Sequence, residues 1–215
     1  MRLSNYLLRE AVIRTANLDD IEQRTKKVFD SLRTYNLLQR CTLIPKALTK
    51  EFINMDLEFE PGYHSPDEIL GFTFPDGVIS IDIGVGRFSS KDDKLIGDLM
   101  GVLKHELVHR EQLKKSSGHS SDKAKGMSSI NAENIDTYLA DKMELMAYAV
   151  QIVTLLRNEK YTDAQIIDML RNPKKWIANI VKSESHLEIY MNIFDKNSAT
   201  IKRLKKYIIE YLDDK

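Results

Sequence analysis

The segment that follows Ser90 and ends near Leu113 constrains the fold more than any other part of the chain. Its apolar residues recur every three or four positions, which predicts a long amphipathic helix with one buried face. Two histidines, His105 and His109, stand four positions apart near the end of this segment. Positions i and i+4 of a helix lie one turn apart on the same face, so both imidazoles are predicted to point at one place. The apolar positions are Leu95, Ile96, Leu99, Met100, Leu103 and Leu107.

Two histidines arranged in this way are suited to binding one zinc ion. Zinc takes neutral imidazole nitrogens together with a carboxylate or water in a tetrahedral arrangement. Glu106 directly follows His105, so its carboxylate would flank the ion without binding it, where it can accept a proton from an attacking water and pass it to a leaving amine. The alternative is two surface histidines on an ordinary helix, but Leu107 and Val108 between them are apolar and suit a helix beneath a cleft. We therefore predict Zn2+ at His105 and His109.

The residues before this helix alternate with a period of two, which is typical of half-buried strands. Such alternation is found in residues 53–59 and again in residues 78–85, and a shorter candidate strand covers 70–74. Pro75-Asp76-Gly77 predicts a tight turn, because proline presets one backbone angle and glycine permits a positive one. The pattern predicts a small antiparallel sheet with a hairpin whose second strand is 78–85.

The rest of the chain has helical patterns, so the predicted fold class is α+β with helical N- and C-terminal extensions. The predicted elements are helices within the first 40 residues, a loop at 41–45, a Ser- and Lys-rich loop at 114–131, a helix at 132–157, a helix at 163–171 capped by Thr162 and a last helix capped by Ser198. We predict three parts: an N-terminal helical segment, 1–45, a metal-binding core, 46–157, and a C-terminal helical segment, 158–215.

Charge and cysteine content limit the classes of function. Lysine plus arginine and aspartate plus glutamate both total 32, so the formal net charge is zero, which argues against a general attraction to nucleic acid or to anionic membranes. The single cysteine, Cys41, excludes an intrachain disulfide and a cysteine-based metal site. No signal-peptide core or membrane span is predicted. A cytoplasmic location is expected, and packaging into a virion would leave the same sequence features.

With the motif His105-Glu106-Leu107-Val108-His109 behind a predicted sheet, the chain resembles the zincin metallopeptidases over about residues 53–157. The resemblance implies a twisted sheet before the motif helix, with an edge strand that pairs with extended peptide substrate. Strand 78–85 would be that edge strand. The chain departs from the usual pattern at Arg110 and Glu111, where many peptidases carry an uncharged and then an apolar residue.

The resemblance also implies a third protein ligand. The metzincin pattern would need a glycine at position 112 and a histidine at 115, and the chain has Gln112 and Lys115, so that subfamily is excluded. The gluzincin arrangement takes a glutamate from a following helix, which favours Glu144. Ala140 and Ala147, on the same predicted helical face, would let the two helices approach closely. Similar Tyr…Glu-x-x-Ala segments follow this motif in small zincin-like proteins encoded by phages and bacteria.

Other candidates for the third ligand remain open, namely His119 in the Ser- and Lys-rich loop and Glu133 at a helix start. His64 and His186 are isolated and are interpreted as surface or boundary histidines. Two functions follow. The first is a zinc-dependent peptidase or related hydrolase with Glu106 as general base. The alternative is a structural or assembly protein, such as a phage virion component, that retains a zincin fold and contacts other proteins of the assembly.

Overall fold

The computed structural model describes residues 18–115, 135–182 and 186–213, and it confirms the mixed α+β class. The helices are α1 (Leu18–Ser31), α2 (Leu37–Phe52), α3 (Asp92–Lys115), α4 (Ile135–Ala140), α5 (Lys142–Asn158), α6 (Asp163–Arg171), α7 (Pro173–Lys182), α8 (Leu187–Ile193) and α9 (Ala199–Asp213). The strands are β1 (Leu57–Gly62), β2 (Ile69–Thr73) and β3 (Ile79–Gly84). Short 3-10 turns occupy Ile53–Met55 and Val85–Ser89.

Helix α2 runs through residues 41–45, where the sequence predicted a loop. A capping box begins the helix: the side chain of Asn36 accepts from the backbone N–H of Gln39, and the side chain of Gln39 accepts from the N–H of Asn36. The loop prediction was wrong because the helix buries a complete face, which outweighs the one backbone hydrogen bond lost at Pro45. The boundary predicted after residue 45 therefore falls inside a continuous helix. The buried residues are Cys41, Ile44, Pro45, Leu48 and Phe52.

The three strands form one mixed sheet in the order β1-β3-β2. The β2–β3 hairpin is antiparallel and turns at Pro75-Asp76-Gly77 as predicted, with Gly77 at a φ of +92°. Strand β1, however, is parallel to β3, so the fully antiparallel sheet was wrong. The prediction of 78–85 as an edge strand was also wrong, because β3 is hydrogen-bonded on both sides. A substrate strand has no free edge of β3 to pair with.

The face of the sheet that carries Leu57, Phe59 and the three isoleucines of β3 is buried, with helix α3 packed against β2 and β3. Helix α3 then separates two buried clusters. One joins α1, α2, the sheet and the first part of α3. The other extends from Val108 through α5 to α9, so the C-terminal helices share a core with α5 across the division predicted after residue 157.

The helix predicted at 132–157 is interrupted within its described part. Helix α4 ends at Ala140, and Asp141 begins α5 as its N-cap, because its Oδ1 accepts from the N–H of Met143 at 2.8 Å. Downstream, the predicted caps are confirmed: Thr162 forms a capping box with Gln165, and Ser198 accepts from the N–H of Ile201. The break matters for the site, because it places Glu144 in the first turn of α5.

Candidate metal centre

One face of α3 carries a glycine or a histidine at every fourth position: Gly97, Gly101, His105 and His109. This face lies against α5, and successive positions along α3 meet progressively earlier positions of α5, so the two helices run antiparallel. The stripe is therefore the surface that joins the motif helix to the helix carrying Glu144.

The two glycines allow the helices to approach closely. A Cβ at Gly97 would lie 2.8 Å from Nδ2 of Asn158, and a Cβ at Gly101 would lie 3.0 Å from Cδ2 of Leu155. The Nδ2 of Asn158 also donates to the carbonyl of Gly97 at 2.9 Å, which ties the end of α5 to α3. A Cβ at either position would force the side chain of Asn158 or Leu155 to move.

The sequence predicted that two alanines would let the helices approach closely, and the two glycines of α3 provide that close approach instead. Ala147 is fully buried in α5, but Ala140 ends α4 before the break and does not share a helix with Glu144. The regular spacing of Gly97 and Gly101 with the histidines is a sequence signal that could have located the helix–helix contact.

Three side chains from α3 and α5 converge at the end of this stripe. The Nε2 atoms of His105 and His109 are 3.0 Å apart, and Oε2 of Glu144 lies 3.5 Å from the first and 3.4 Å from the second. These three residues form a group that could hold a metal ion. His105 and Glu144 are buried, with 6% and 8% of their surface exposed, and Oε2 of Glu144 is a buried atom without a hydrogen-bond partner.

The donor set and its spacing fit zinc. Ligand atoms placed tetrahedrally at zinc–ligand distances of about 2.0–2.1 Å lie roughly 3.3 Å from one another. The three separations of 3.0, 3.4 and 3.5 Å bracket that value. Two imidazole nitrogens and one carboxylate oxygen are also a donor set that zinc accepts, with a fourth position left for water.

Gln112 orients one of the two imidazoles. Its Oε1 lies 3.0 Å from Nδ1 of His109, and its Nε2 donates to the carbonyl of Met143 at 3.3 Å. The bond to Met143 sets which way the amide faces, so Nδ1 of His109 donates to it and Nε2 is the ring nitrogen that faces His105 and Glu144. No spacing in the sequence indicated this role of Gln112, which had served only to exclude a subfamily.

We expect Gln112→Leu to weaken zinc binding by roughly ten- to a hundredfold, because the His109 ring loses the partner that fixes its orientation. Zinc affinity measured by competition with a chromogenic chelator would show the change. Gln151→Leu is the matched control, since Gln151 is an equally buried glutamine of α5. Equal losses in both variants would mean that Gln112 acts only through packing.

The electrostatics of the three groups favour a cation between them. Burial by itself would raise the pKa of Glu144, but the adjacent imidazoles of His105 and His109 outweigh burial and hold the pKa well below its usual range. Burial would lower the pKa of His109, yet the adjacent carboxylate of Glu144 raises it to about 9. The carboxylate is thus ionised and draws positive charge to the site.

Glu106 points toward the sheet, and 3% of its surface is exposed. Its Oε2 accepts from the hydroxyl of Thr73 on β2 at 2.7 Å. Gly71, two residues earlier on β2, leaves space for the side chain, because a Cβ there would lie 2.5 Å from Cγ of Glu106. The charge of Glu106 also contributes to the raised pKa of His109. The carboxylate of Glu106 is therefore close to the three converging residues without being one of them.

Four rings, those of Tyr138, Tyr148, His186 and Tyr190, form an aromatic wall beside the site, in which Tyr148 contacts each of the other three. Tyr148 follows Glu144 by one turn, and its ring meets that of His105 edge-on at 4.5 Å and that of His186 at 4.9 Å. Burial, with a smaller contribution from His105, lowers the pKa of His186 to about 4, so this imidazole is neutral at neutral pH. His186 is thus part of the wall, although no sequence spacing connects it with the motif.

Arg110 and Glu111, the unusual pair after the motif, have structural surroundings that account for them. The guanidinium of Arg110 donates to the carbonyl of Met55 at 3.0 Å and so ties α3 to the turn before β1. Glu111 is buried and pairs with Lys114. Arg110 thus supports the position of α3, and neither residue belongs to the three converging groups.

The remaining candidates from the sequence fall outside the group. His64 is exposed in the turn after β1. His119 and Glu133 lie outside the described residues. Within the described ranges, His105, His109 and Glu144 are the residues brought together as a possible metal site, and Glu106 is placed beside them.

Comparison of the chain with protein-family models, with curated proteins and with solved structures found no match. The residues of the site are therefore the basis on which a function can be proposed. None of the described helices has the length and apolar character needed to cross a bilayer.

Proposed function

We propose that this chain is a zinc-dependent peptidase of the gluzincin-like zincin type, with zinc held by His105, His109 and Glu144. The observation that carries the proposal is the spacing of the three donor atoms, 3.0 to 3.5 Å, in a group formed by two helices. Two features add support. Gln112 directs His109 toward the group, and the glycine stripe of α3 brings the two helices together.

When bound, zinc would lower the pKa of a water molecule to about 7 and polarise the carbonyl of a peptide bond. Glu106 would accept the proton of the attacking water on its carboxylate and then deliver it to the leaving amine. Its position next to His105, and its influence on His109, are consistent with that task. Low exposure of Glu106 would keep competing water away from the carboxylate.

Strand β2 is the better candidate for pairing with a peptide, now that β3 is known to be central. Among the described residues, β2 is hydrogen-bonded to β3 on one side only. Gly71 and Thr73 of this strand touch Glu106, so a peptide added to its open edge would run beside the base. The strand contains no charged residue, and Phe72 is 38% exposed, which suits contact with an apolar side chain of a substrate.

The proposal is tested by incubating the zinc-loaded chain with fluorescently labelled casein, an unfolded and unspecific protein substrate. Cleavage that a chelator stops, that added zinc restores and that Glu106→Gln lacks would support the proposal. A zinc-loaded chain that cleaves neither casein nor a diverse peptide library would contradict it.

A second function, a structural or assembly protein that keeps the metal for stability, is favoured by the burial of the site. Little of His105, Glu106 or Glu144 is exposed, and the aromatic wall lies beside the site. In that case other proteins of the assembly would be the partners. Removal of zinc would then lower the melting temperature strongly, while no cleavage would be found with or without zinc.

A further inference from the structure

We propose that Thr73 is a positioning residue for Glu106, and that Gly71 provides the space in which Thr73 holds it. This inference rests on the proposed peptidase function and extends it to β2, where the sequence motif indicates no residue of the site. It assigns to the edge strand a second task besides pairing with substrate.

The hydroxyl of Thr73 has two acceptors within reach, and both belong to Glu106. They are the carboxylate Oε2 at 2.7 Å and the backbone carbonyl at 3.0 Å. A hydroxyl has a single proton to donate, and a carboxylate is the stronger and closer acceptor. The backbone carbonyl lies inside α3, where a helical hydrogen bond can satisfy it. Thr73 therefore donates to Oε2 and ties one oxygen of the carboxylate to the strand.

Gly71 leaves room for the same side chain on the same face of the strand. A Cβ at this position would lie 2.5 Å from Cγ and 2.7 Å from Oε1 of Glu106, and 2.8 Å from Cγ1 of Val102. Residues 71 and 73 lie on the same face of β2, because side chains alternate along a strand. The carboxylate therefore occupies the space that Gly71 leaves free, with Oε2 held by the hydroxyl of Thr73.

This restraint on Oε2 matters for a base that must meet a water molecule at one fixed point. A glutamate side chain has several rotatable bonds, and each alternative rotamer would direct the carboxylate away from the reacting water. Threonine is suited to hold it, because a β-branched side chain is stiff about its first torsion. The hydrogen bond thus gives the base one orientation before substrate arrives.

Thr73→Val removes the hydroxyl and keeps the shape of the side chain, whereas Thr73→Ser keeps the hydroxyl. We expect the valine variant to bind zinc as the wild type does, and to cleave casein with kcat lowered by roughly ten- to a hundredfold, since a hydrogen bond to a charged group is lost. KM should stay within about twofold, because the base acts in the chemical step and not in substrate binding. The serine variant should recover most of the lost kcat.

Thr49→Val is the matched control, since the Thr49 hydroxyl bonds both the N–H and the carbonyl of Phe59 on β1, at the opposite edge of the sheet. We expect this variant to lose stability and to keep the kcat of the wild type per folded molecule. Gly71→Ala should lower kcat as Thr73→Val does, because the added Cβ must displace Glu106.

The inference is overturned if Thr73→Val keeps the wild-type kcat, or if serine at position 73 is as poor as valine. A wild-type chain that binds zinc and cleaves nothing overturns the proposed function instead. The contact is then tested alone by urea unfolding: Thr73→Val should shift the unfolding midpoint more in the wild type than in a Glu106→Ala background, where only the backbone carbonyl of residue 106 remains as an acceptor for the hydroxyl. Equal shifts in both backgrounds would show that Thr73 does not hold Glu106 and would overturn the inference independently.

Discussion

Glu106→Gln should keep its zinc and lose casein cleavage by about a hundredfold to ten-thousandfold, the range that general acid–base catalysis contributes. The amide has nearly the shape of the carboxylate and can still accept the hydrogen bond from Thr73. It cannot accept the proton of the attacking water. The measurement is kcat for casein cleavage at equal zinc content.

Glu111→Gln is the control for this variant, because Glu111 is also a buried glutamate of α3. Glu111 follows the motif in the sequence and pairs with Lys114. It should cleave casein at close to the wild-type rate per folded molecule. If an activity is found and Glu106→Gln retains it at near the wild-type rate, Glu106 is not the base, and the mechanism must be assigned to another group.

Glu144→Ala should lower zinc affinity by orders of magnitude, because two imidazoles and water remain where three protein ligands stood. A metal that binds only the folded state raises the melting temperature, and zinc at about a hundred times its Kd contributes roughly 2.7 kcal/mol. The melting temperature of the variant should therefore stop responding to added zinc. Scanning calorimetry with and without zinc measures this directly.

His119→Ala and Glu133→Ala separate the remaining candidates for the third ligand. Both should keep the zinc response of the wild type, because Glu144 already lies 3.5 Å from His105 Nε2 and 3.4 Å from His109 Nε2. The opposite pattern, with His119→Ala losing zinc and Glu144→Ala keeping it, would assign the ligand to the segment between α3 and α4. The resemblance to the gluzincin arrangement would then fail.

Local signals in the sequence predicted much of this structure. The Pro75-Asp76-Gly77 turn, the Thr162 cap and the long motif helix each depend on residues a few positions apart, and each appears as predicted. The spacing of His105 and His109 belongs to the same class, because helical geometry alone puts them on one face.

Long-range pairing was the part that sequence patterns left undetermined. Alternating apolar residues indicate that 78–85 is a strand, but they do not say which strands lie beside it, and β3 proved central because β1 joins it in parallel. Likewise, no spacing along the chain connects Thr73 with Glu106, or His186 with Tyr148. These contacts arise only when separate elements pack together.

The interrupted helix around Asp141 shows a competition between two local signals. The apolar periodicity of 132–157 favours one continuous helix, whereas an aspartate can accept a backbone hydrogen bond and begin a new helix. The second signal prevailed, since Asp141 caps α5 through Met143. The break removes Ala140 from the helix of Glu144, so that part of the argument for Glu144 was wrong, whereas Ala147 and Glu144 share α5.

The zinc content of the purified wild-type chain is the most direct test of the central claim, that His105, His109 and Glu144 hold one metal ion. The protein should be prepared without chelator and measured by inductively coupled plasma mass spectrometry, beside the double variant His105→Ala with His109→Ala. The account predicts about one zinc per wild-type chain and none bound to the double variant. A wild type that stays metal-free when zinc is supplied, or a double variant with full zinc occupancy, would contradict it.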